Sequence, residues 1–327
     1  MTPGTFRTRI TDLFGIDHPL VCGGMMWLAD AAYVSAVARA GGIGFITPRS
    51  FPTPEHFREQ LRIAHDLSDG KPFGVNLYIS ARPEANELLE TFLGISIEEG
   101  VRFVESAGFT PKAFLPRIKD AGITVIHKCT TLRHALSAQE AGVDAVIILG
   151  AEAGGHPGRD MIGTMVQGAT VPQALDVPVV LAGGMGTGRQ LMACLSLGAD
   201  AMLLATRMIV SQEIWAHPDY KKHLARLGAG DTRLIMNIFG DSSRVLDNES
   251  SARVLELEAE GVTDYEAYRP HVRGTLQKEA YEDGDWTKGT ASIGQSVAFA
   301  GEIEPVETII DGIIAEAVAV RDRLNSL

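Results

Sequence analysis

The stretch GAEAGGHPG, residues 150–158, sets one carboxylate, Glu152, and one imidazole, His156, among four glycines. It follows VDAVIIL, an apolar run that reads as a buried strand. An imidazole changes charge near neutral pH and can move a proton, and glycines let backbone approach a ligand. His156 is therefore a candidate acid–base group beside a ligand floor formed by Gly154 and Gly155. The plainer alternative is a turn carrying an incidental histidine.

Other residues able to do chemistry stand at similar places, directly after apolar runs: Gly23-Gly24-Met25, Thr47, Asn76, Ser106, His127-Lys128-Cys129, Gly183-Gly184 and Thr206-Arg207. Gly23 and Gly24 could let a flat ring lie against bare backbone, or could simply make a tight turn. Asn76 can both donate to and accept from a heterocycle, or cap the turn that follows. Lys128 can hold a phosphate or a ring anion as a point charge, or be a surface lysine. His127 alternates with it and should point outward as a structural histidine. AGGMGTGRQL (182–191) opens a helix, and backbone N–H groups at such a terminus form an anion cradle. Its G-G-x-G-x-G spacing departs from the dinucleotide fingerprint, and Ala205-Thr206 stand where that fold needs an acid. With Gly154-Gly155 and Ala205-Thr206 the pattern suits one phosphate. Cys22 and Cys129 have no adjacent base, Cys194 sits mid-helix, and the three have no metal-ligand spacing.

The elements that must carry these groups repeat. A helical segment, a glycine and a short apolar strand recur in RAGGIGFIT, EEGVRFVES, DAGITVIHK, EAGVDAVIIL and SLGADAMLLAT. HPLVCGG, KPFGVNLYI and DVPVVLAGG bring the strands to eight. Continuous apolar strands alternating with amphipathic helices imply parallel pairing, buried on both faces. Eight such units predict an α/β fold, a (β/α)8 TIM barrel over residues 1–212, with an open doubly wound sheet as the rival. All the polar groups above then fall at the C-terminal ends of the strands. Residues 213–290 read as a mostly helical cap without further strand signals. Residues 291–327 read as a segment packing back on the barrel through Val306, Ile309, Ile310, Ile313, Ile314, Ala317 and Val318.

Composition narrows the partners. The net charge is −12 and no basic run exceeds Lys221-Lys222, so nucleic acid and anionic membrane are poor fits. No apolar run approaches the roughly 18 residues of a membrane span, the N-terminus is too polar for a signal peptide, and the three cysteines suit a reducing compartment. A cytoplasmic enzyme with a small-molecule substrate is expected, and a homodimer is compatible with this.

PLVCGGMMW, KPFGVNLYI, VIHKC, GAEAGGHPG, VPVVLAGGMGTG and LLATRM, in that order, closely resemble the nitronate monooxygenase (2-nitropropane dioxygenase) family of FMN-dependent barrels. That group is related to NAD(P)H:quinone reductases and FMN-type enoyl-acyl-carrier-protein reductases. The resemblance implies FMN at the barrel mouth, with Gly23, Gly24 and Met25 along its ring, and Asn76 and Lys128 near it. Gly154-Gly155 would lie by the ribityl arm and Gly183, Gly184 and Thr206 at the phosphate. His156 falls on the family's catalytic histidine. It implies oxidation of alkyl nitronates with dioxygen or, alternatively, NAD(P)H-dependent reduction of quinones or enoyl thioesters. Cys22 stands where the family has Gln, and Ala205 where it has Gly.

Overall fold

The computed structural model of the protein describes residues 6–80 and 83–327. Eight parallel strands close into a barrel: β1 (Leu20–Cys22), β2 (Ile43–Ile46), β3 (Gly74–Ile79), β4 (Phe103–Gly108), β5 (Thr124–Cys129), β6 (Ala145–Leu149), β7 (Val179–Ala182) and β8 (Ala201–Leu204). β8 returns to β1 with Leu20 opposite Met202 and Val21 opposite Leu203, which excludes the open sheet.

Most strands are apolar runs because both of their faces are buried, while β3, β4 and β5 carry polar residues within them. Successive side chains alternate between two clusters. Val21, Phe45, Phe103, Ile126, Ile147, Val180 and Leu203 fill the barrel interior. Cys22, Ile46, Val104, Val125, Ile148, Leu181 and Leu204 pack against the helices. A short helix, Arg9–Phe14, stops the N-terminal end, where the Phe14 ring meets Phe45 and Phe103 edge-on at 6.3 and 5.2 Å. Phe14 is essentially inaccessible, and burying such a ring contributes about 1.5–3 kcal/mol. With that end closed, the C-terminal mouth is left for chemistry.

Beyond β8, helices span Pro218–Leu224, Glu249–Ala259, Tyr265–Val272 and Gly274–Asp283. The expectation of no further strands needs correcting. β9 (Thr232–Ile235) and β10 (Ser243–Leu246) form an antiparallel pair. Each is only four residues long and contains an arginine, so neither reads as a continuous apolar run. The helix Val306–Asn325 buries Val306, Ile309, Ile310, Ile313, Ile314 and Ala317. It lies against the helices Gly188–Ser196 and Ala31–Arg39. A methyl group at Gly188 would run into the backbone of Ile313 and Ala317, so glycine there permits the close approach. Among the described residues no helix is long and apolar enough to cross a membrane.

Candidate active site

Strand parity turns Asn76, Glu105 and Lys128 into the barrel from three adjacent strands, with Asn76 opposite Glu105 in register. Glu105 is wholly buried, and its Oε1 lies 2.9 Å from Lys128 Nζ. Its Oε2 accepts from Asn76 Nδ2 at 2.5 Å and from the Gly24 N–H at 3.0 Å. A carboxylate away from water is tolerated only with such partners. Lys128 is thus part of a buried polar floor rather than a surface lysine. Glycine at 23 and 24 makes room for this set: a Cβ on Gly24 would strike Asn76, and one on Gly23 would sit 2.9 Å from Lys128 Nζ. Sequence reading passed over Glu105. Its signal was present, an acid two residues after Phe103 and therefore on the same inward face.

Above the floor is a cavity of about 310 Å³. It is lined by Gly24, Met25, Asn76, Lys128, Gly154, Gly155, His156, Gly183, Gly184 and Thr206, so the strand-end residues singled out from sequence converge, while Gly23 lies outside the lining. Thr47 also lines it, and its buried hydroxyl has no hydrogen-bond partner among the described residues. Tyr78, Gln277, Tyr281, Ser292 and Ser296 complete the wall without having been foreseen, four of them from beyond β8. Gln277 Nε2 donates to Tyr281 Oη at 2.6 Å, and burial pushes the Tyr281 phenol up to about 12.

The expected anion cradle at the start of the helix Gly188–Ser196 is already filled. The N–H groups of Gly186 and Thr187 donate to Gln190 Oε1 at 2.9 and 3.1 Å, and that of Gly188 donates to Glu316 Oε2 at 2.7 Å. A carboxylate of the C-terminal helix has taken the place an external anion would need. Gly183 and Gly184, with φ of 105° and 70°, lie upstream on the cavity wall instead. Thr206 Oγ1 accepts from the Gly294 N–H at 2.9 Å, which leaves its own proton to donate.

The loop after β6 is held by the cap. Gly155 and Arg244 exchange backbone hydrogen bonds of 2.9 and 2.6 Å, and the Arg244 guanidinium donates to the Ala151 carbonyl at 3.1 and 3.0 Å. Glu152 turns from the cavity to receive the N–H and hydroxyl of Thr164, at 3.0 and 2.7 Å. The His156 side chain is 61% exposed, with Nε2 3.8 Å from Asp241 Oδ2. It borders both the first cavity and a second of about 480 Å³; Tyr78, Ala107, Lys128 and Leu149 are also common to the two.

His127 faces outward as expected. Its Nδ1 is 2.9 Å from Ser106 Oγ, and burial pulls its pKa down to about 4. Burial pushes the thiols of Cys22, Cys129 and Cys194 up to about 12, so none is a thiolate nucleophile at neutral pH. Cys22 sits beside Tyr33 among the helix-facing residues and does not line the cavity.

The family model for nitronate monooxygenase matches residues 7–316. The (3aS,4S,5R,7aS)-5-hydroxy-7a-methyl-1-oxo-octahydro-1H-indene-4-carboxyl-CoA dehydrogenase of Rhodococcus jostii is 30% identical, over 99% of this chain and 99% of its own. The structure of FabK from Thermotoga maritima is similar with a TM-score of 0.90 at 32% identity, covering 98% of this chain and 99% of that one. A nitroalkane oxidase from Streptomyces ansochromogenes follows with a TM-score of 0.81 at 28% identity, covering 96% and 99%.

Proposed function

The chain belongs to the nitronate monooxygenase family and is an FMN-dependent oxidoreductase, and on that premise we propose that it oxidises a carbon acid at the first cavity, with His156 as the proton-transfer group. Simple substrates of this kind are alkyl nitronates and their parent nitroalkanes, with dioxygen as the oxidant.

The residues present suit FMN. Thr47, Asn76 and Lys128 offer a hydroxyl, an amide and an ammonium at the base of the cavity, and the buried Thr47 hydroxyl has no partner among the described residues. Because the Asn76 NH₂ is committed to Glu105, its carbonyl oxygen remains as an acceptor. Gly183, Gly184 and the Thr206 hydroxyl would take the phosphate, and Gly154-Gly155 the arm between. FMN, when bound, supplies the electron sink. Lys128 would favour negative charge on the ring side of the cavity, moderated by its pairing with Glu105. His156 would accept the proton from the carbon next to the nitro group, and Asp241 stands where the imidazolium gains a counter-charge.

The observation that carries this reading is the place of His156: an accessible imidazole on the cavity rim, held by backbone pairing rather than by its own ring. A second reading, action on an acyl thioester, draws on the full-length similarity to a carboxyl-CoA dehydrogenase and on the second cavity beside His156. Purified protein should be yellow and release FMN on denaturation. Gly184→Asp should lose it, since that position has a left-handed backbone and its Cβ would meet Glu152. Anaerobic mixing with NADH, NADPH and propyl-2-nitronate in turn then tests the reaction. Rapid flavin reduction by a nicotinamide and none by nitronate would replace the oxidase reading with a reductase.

A further inference from the structure

We propose that Tyr281, backed by Gln277, is the hydrogen-bond donor that holds the substrate oxygen on which negative charge gathers when His156 removes the proton. The inference rests on the carbon-acid reading above and assigns that reaction a second acting group.

The reaction creates the need. When the C–H bond next to a nitro group breaks, its proton passes to the imidazole and its electron pair moves onto the nitro oxygens. A donor set in advance where that charge collects lowers the barrier, and more strongly in a cavity shielded from water than in solution. The lysine of the lining, Lys128, is already paired with Glu105 at 2.9 Å.

Tyr281 and Gln277 both line the first cavity, four residues apart on the helix Gly274–Asp283. Gln277 Nε2 donates to Tyr281 Oη at 2.6 Å, so the phenol oxygen is occupied as an acceptor and its proton is left to donate. The buried Tyr220 hydroxyl makes no full hydrogen bond of its own, yet like Gln277 it favours negative charge on the Tyr281 oxygen. A phenol polarised from behind in this way is a stronger donor in front. Burial outweighs both neighbours and keeps the phenol protonated at neutral pH, so it donates without giving up its proton.

The donor is also fixed in place. Tyr281 is 1% exposed, with Tyr220 edge-on to its ring at 4.9 Å and Trp215 at 6.3 Å. Its helix is tied at its first residue to the loop after β1. Trp27 Nε1 donates to the Gly274 carbonyl at 3.1 Å, and the Trp27 carbonyl accepts from Trp215 Nε1 at 2.8 Å. The base therefore comes from the loop after β6 and the donor from the cap, and the two meet at one cavity. A donor that need not reorganise as charge forms stabilises that charge most.

Two measurements on the flavin-loaded protein test the assignment. One is turnover of 2-nitropropane. The other is titration with isobutyrate, a carboxylate close to propyl-2-nitronate in size and charge, followed by flavin absorbance. Tyr281→Phe keeps the ring packing and should keep FMN. Its turnover should fall by about 10²–10³, the usual worth of one such donor, and its isobutyrate affinity by about tenfold or more. Gln277→Leu removes only the support and should cost about tenfold or less. Gln277→Glu supplies an acceptor that captures the Tyr281 proton, so it should match Tyr281→Phe, and combining the two changes should add little. A merely structural bond between the two residues would give the reverse order, with Glu, which still bonds the phenol, milder than Leu. That reverse order overturns the proposal, as does isobutyrate binding that is unchanged in Tyr281→Phe or absent from the natural chain. Failure of the natural chain to turn over 2-nitropropane would instead defeat the carbon-acid reading, while the isobutyrate titration still tests Tyr281.

Discussion

Glu105 and His156 both lie within reach of one cavity, yet the fold treats them in opposite ways. Glu105 has no exposed side-chain surface and three partners within 3.0 Å, drawn from β3, β5 and the turn after β1. His156 is 61% exposed, with a carboxylate 3.8 Å away. The barrel fixes a buried charge, and the loop leaves accessible the imidazole proposed to move a proton. Rigid strands can impose a buried ion pair because register sets the side chains before any ligand arrives. An exposed loop imposes little, so its precision has to come from elsewhere, here from pairing with β10.

The largest effect should come from the exposed member. His156→Ala should keep FMN, because the ring makes no contact that holds the fold. Turnover of a neutral nitroalkane should fall by about 10²–10⁴, the usual worth of a positioned acid or base. A preformed nitronate needs no proton removed and should be spared. Equal loss on both substrates would make the ring an anion-binding group, and no loss on either would end its assignment.

The buried member should show in stability as much as in activity. Glu105→Ala leaves Lys128 without its counter-charge and should cost about 3–5 kcal/mol in chemical denaturation of flavin-free protein. Glu105→Leu combined with Lys128→Met removes both charges and should recover much of that loss. The double variant should nevertheless bind FMN poorly. If it bound FMN as tightly as the natural chain, the floor would be packing alone.

The contrast also explains what was legible in the sequence. Most barrel strands are read from short apolar runs, five of them preceded by a helix and a glycine, since burial on both faces leaves composition as a direct signal. Many of the mouth residues followed from the strand ends and line the cavity, whereas Gly23, Ser106, His127, Cys129, Glu152 and Arg207 do not. Glu105 was hidden inside a strand, where parity was the only indication. The wall residues from beyond β8, Gln277 and Tyr281 of the cap and Ser292 and Ser296 of the C-terminal segment, approach the mouth through long-range packing that no local pattern encodes. The helix terminus after β7 misled for a related reason: Glu316, which fills it, lies 128 residues further on.

His127 supplies a pH test of the outward face. Burial lowers its pKa from the ordinary 6.5 to about 4, so the folded chain holds it neutral where the unfolded chain would protonate it. Its contribution is present in full above about pH 6.5 and is lost as pH falls towards 4. The loss amounts to about 3 kcal/mol. Denaturation of the natural chain between pH 7 and 4.5 should show it, and His127→Gln should flatten the slope in that window. An unchanged slope would assign the acid sensitivity to other groups.

The smallest effect should come from the strut between the cap and the reactive loop. Arg244 is nearly buried, and its guanidinium reaches the Ala151 carbonyl and Thr232 Oγ1, while its backbone pairs with Gly155. Arg244→Met keeps the backbone pairing and the length of the side chain but removes the charged donors, a loss of about 1.5–3 kcal/mol from the loop contact. FMN content should not change, since Arg244 does not line the first cavity. Hydrogen exchange at the Gly155 amide should quicken, because local opening becomes less costly. The catalytic constant should drop several-fold with little change in KM, as His156 spends less time in place, and Arg244→Lys should restore part of it. If exchange and turnover both match the natural chain, the backbone bridge alone positions His156, and the cap's part in the site shrinks to the wall residues.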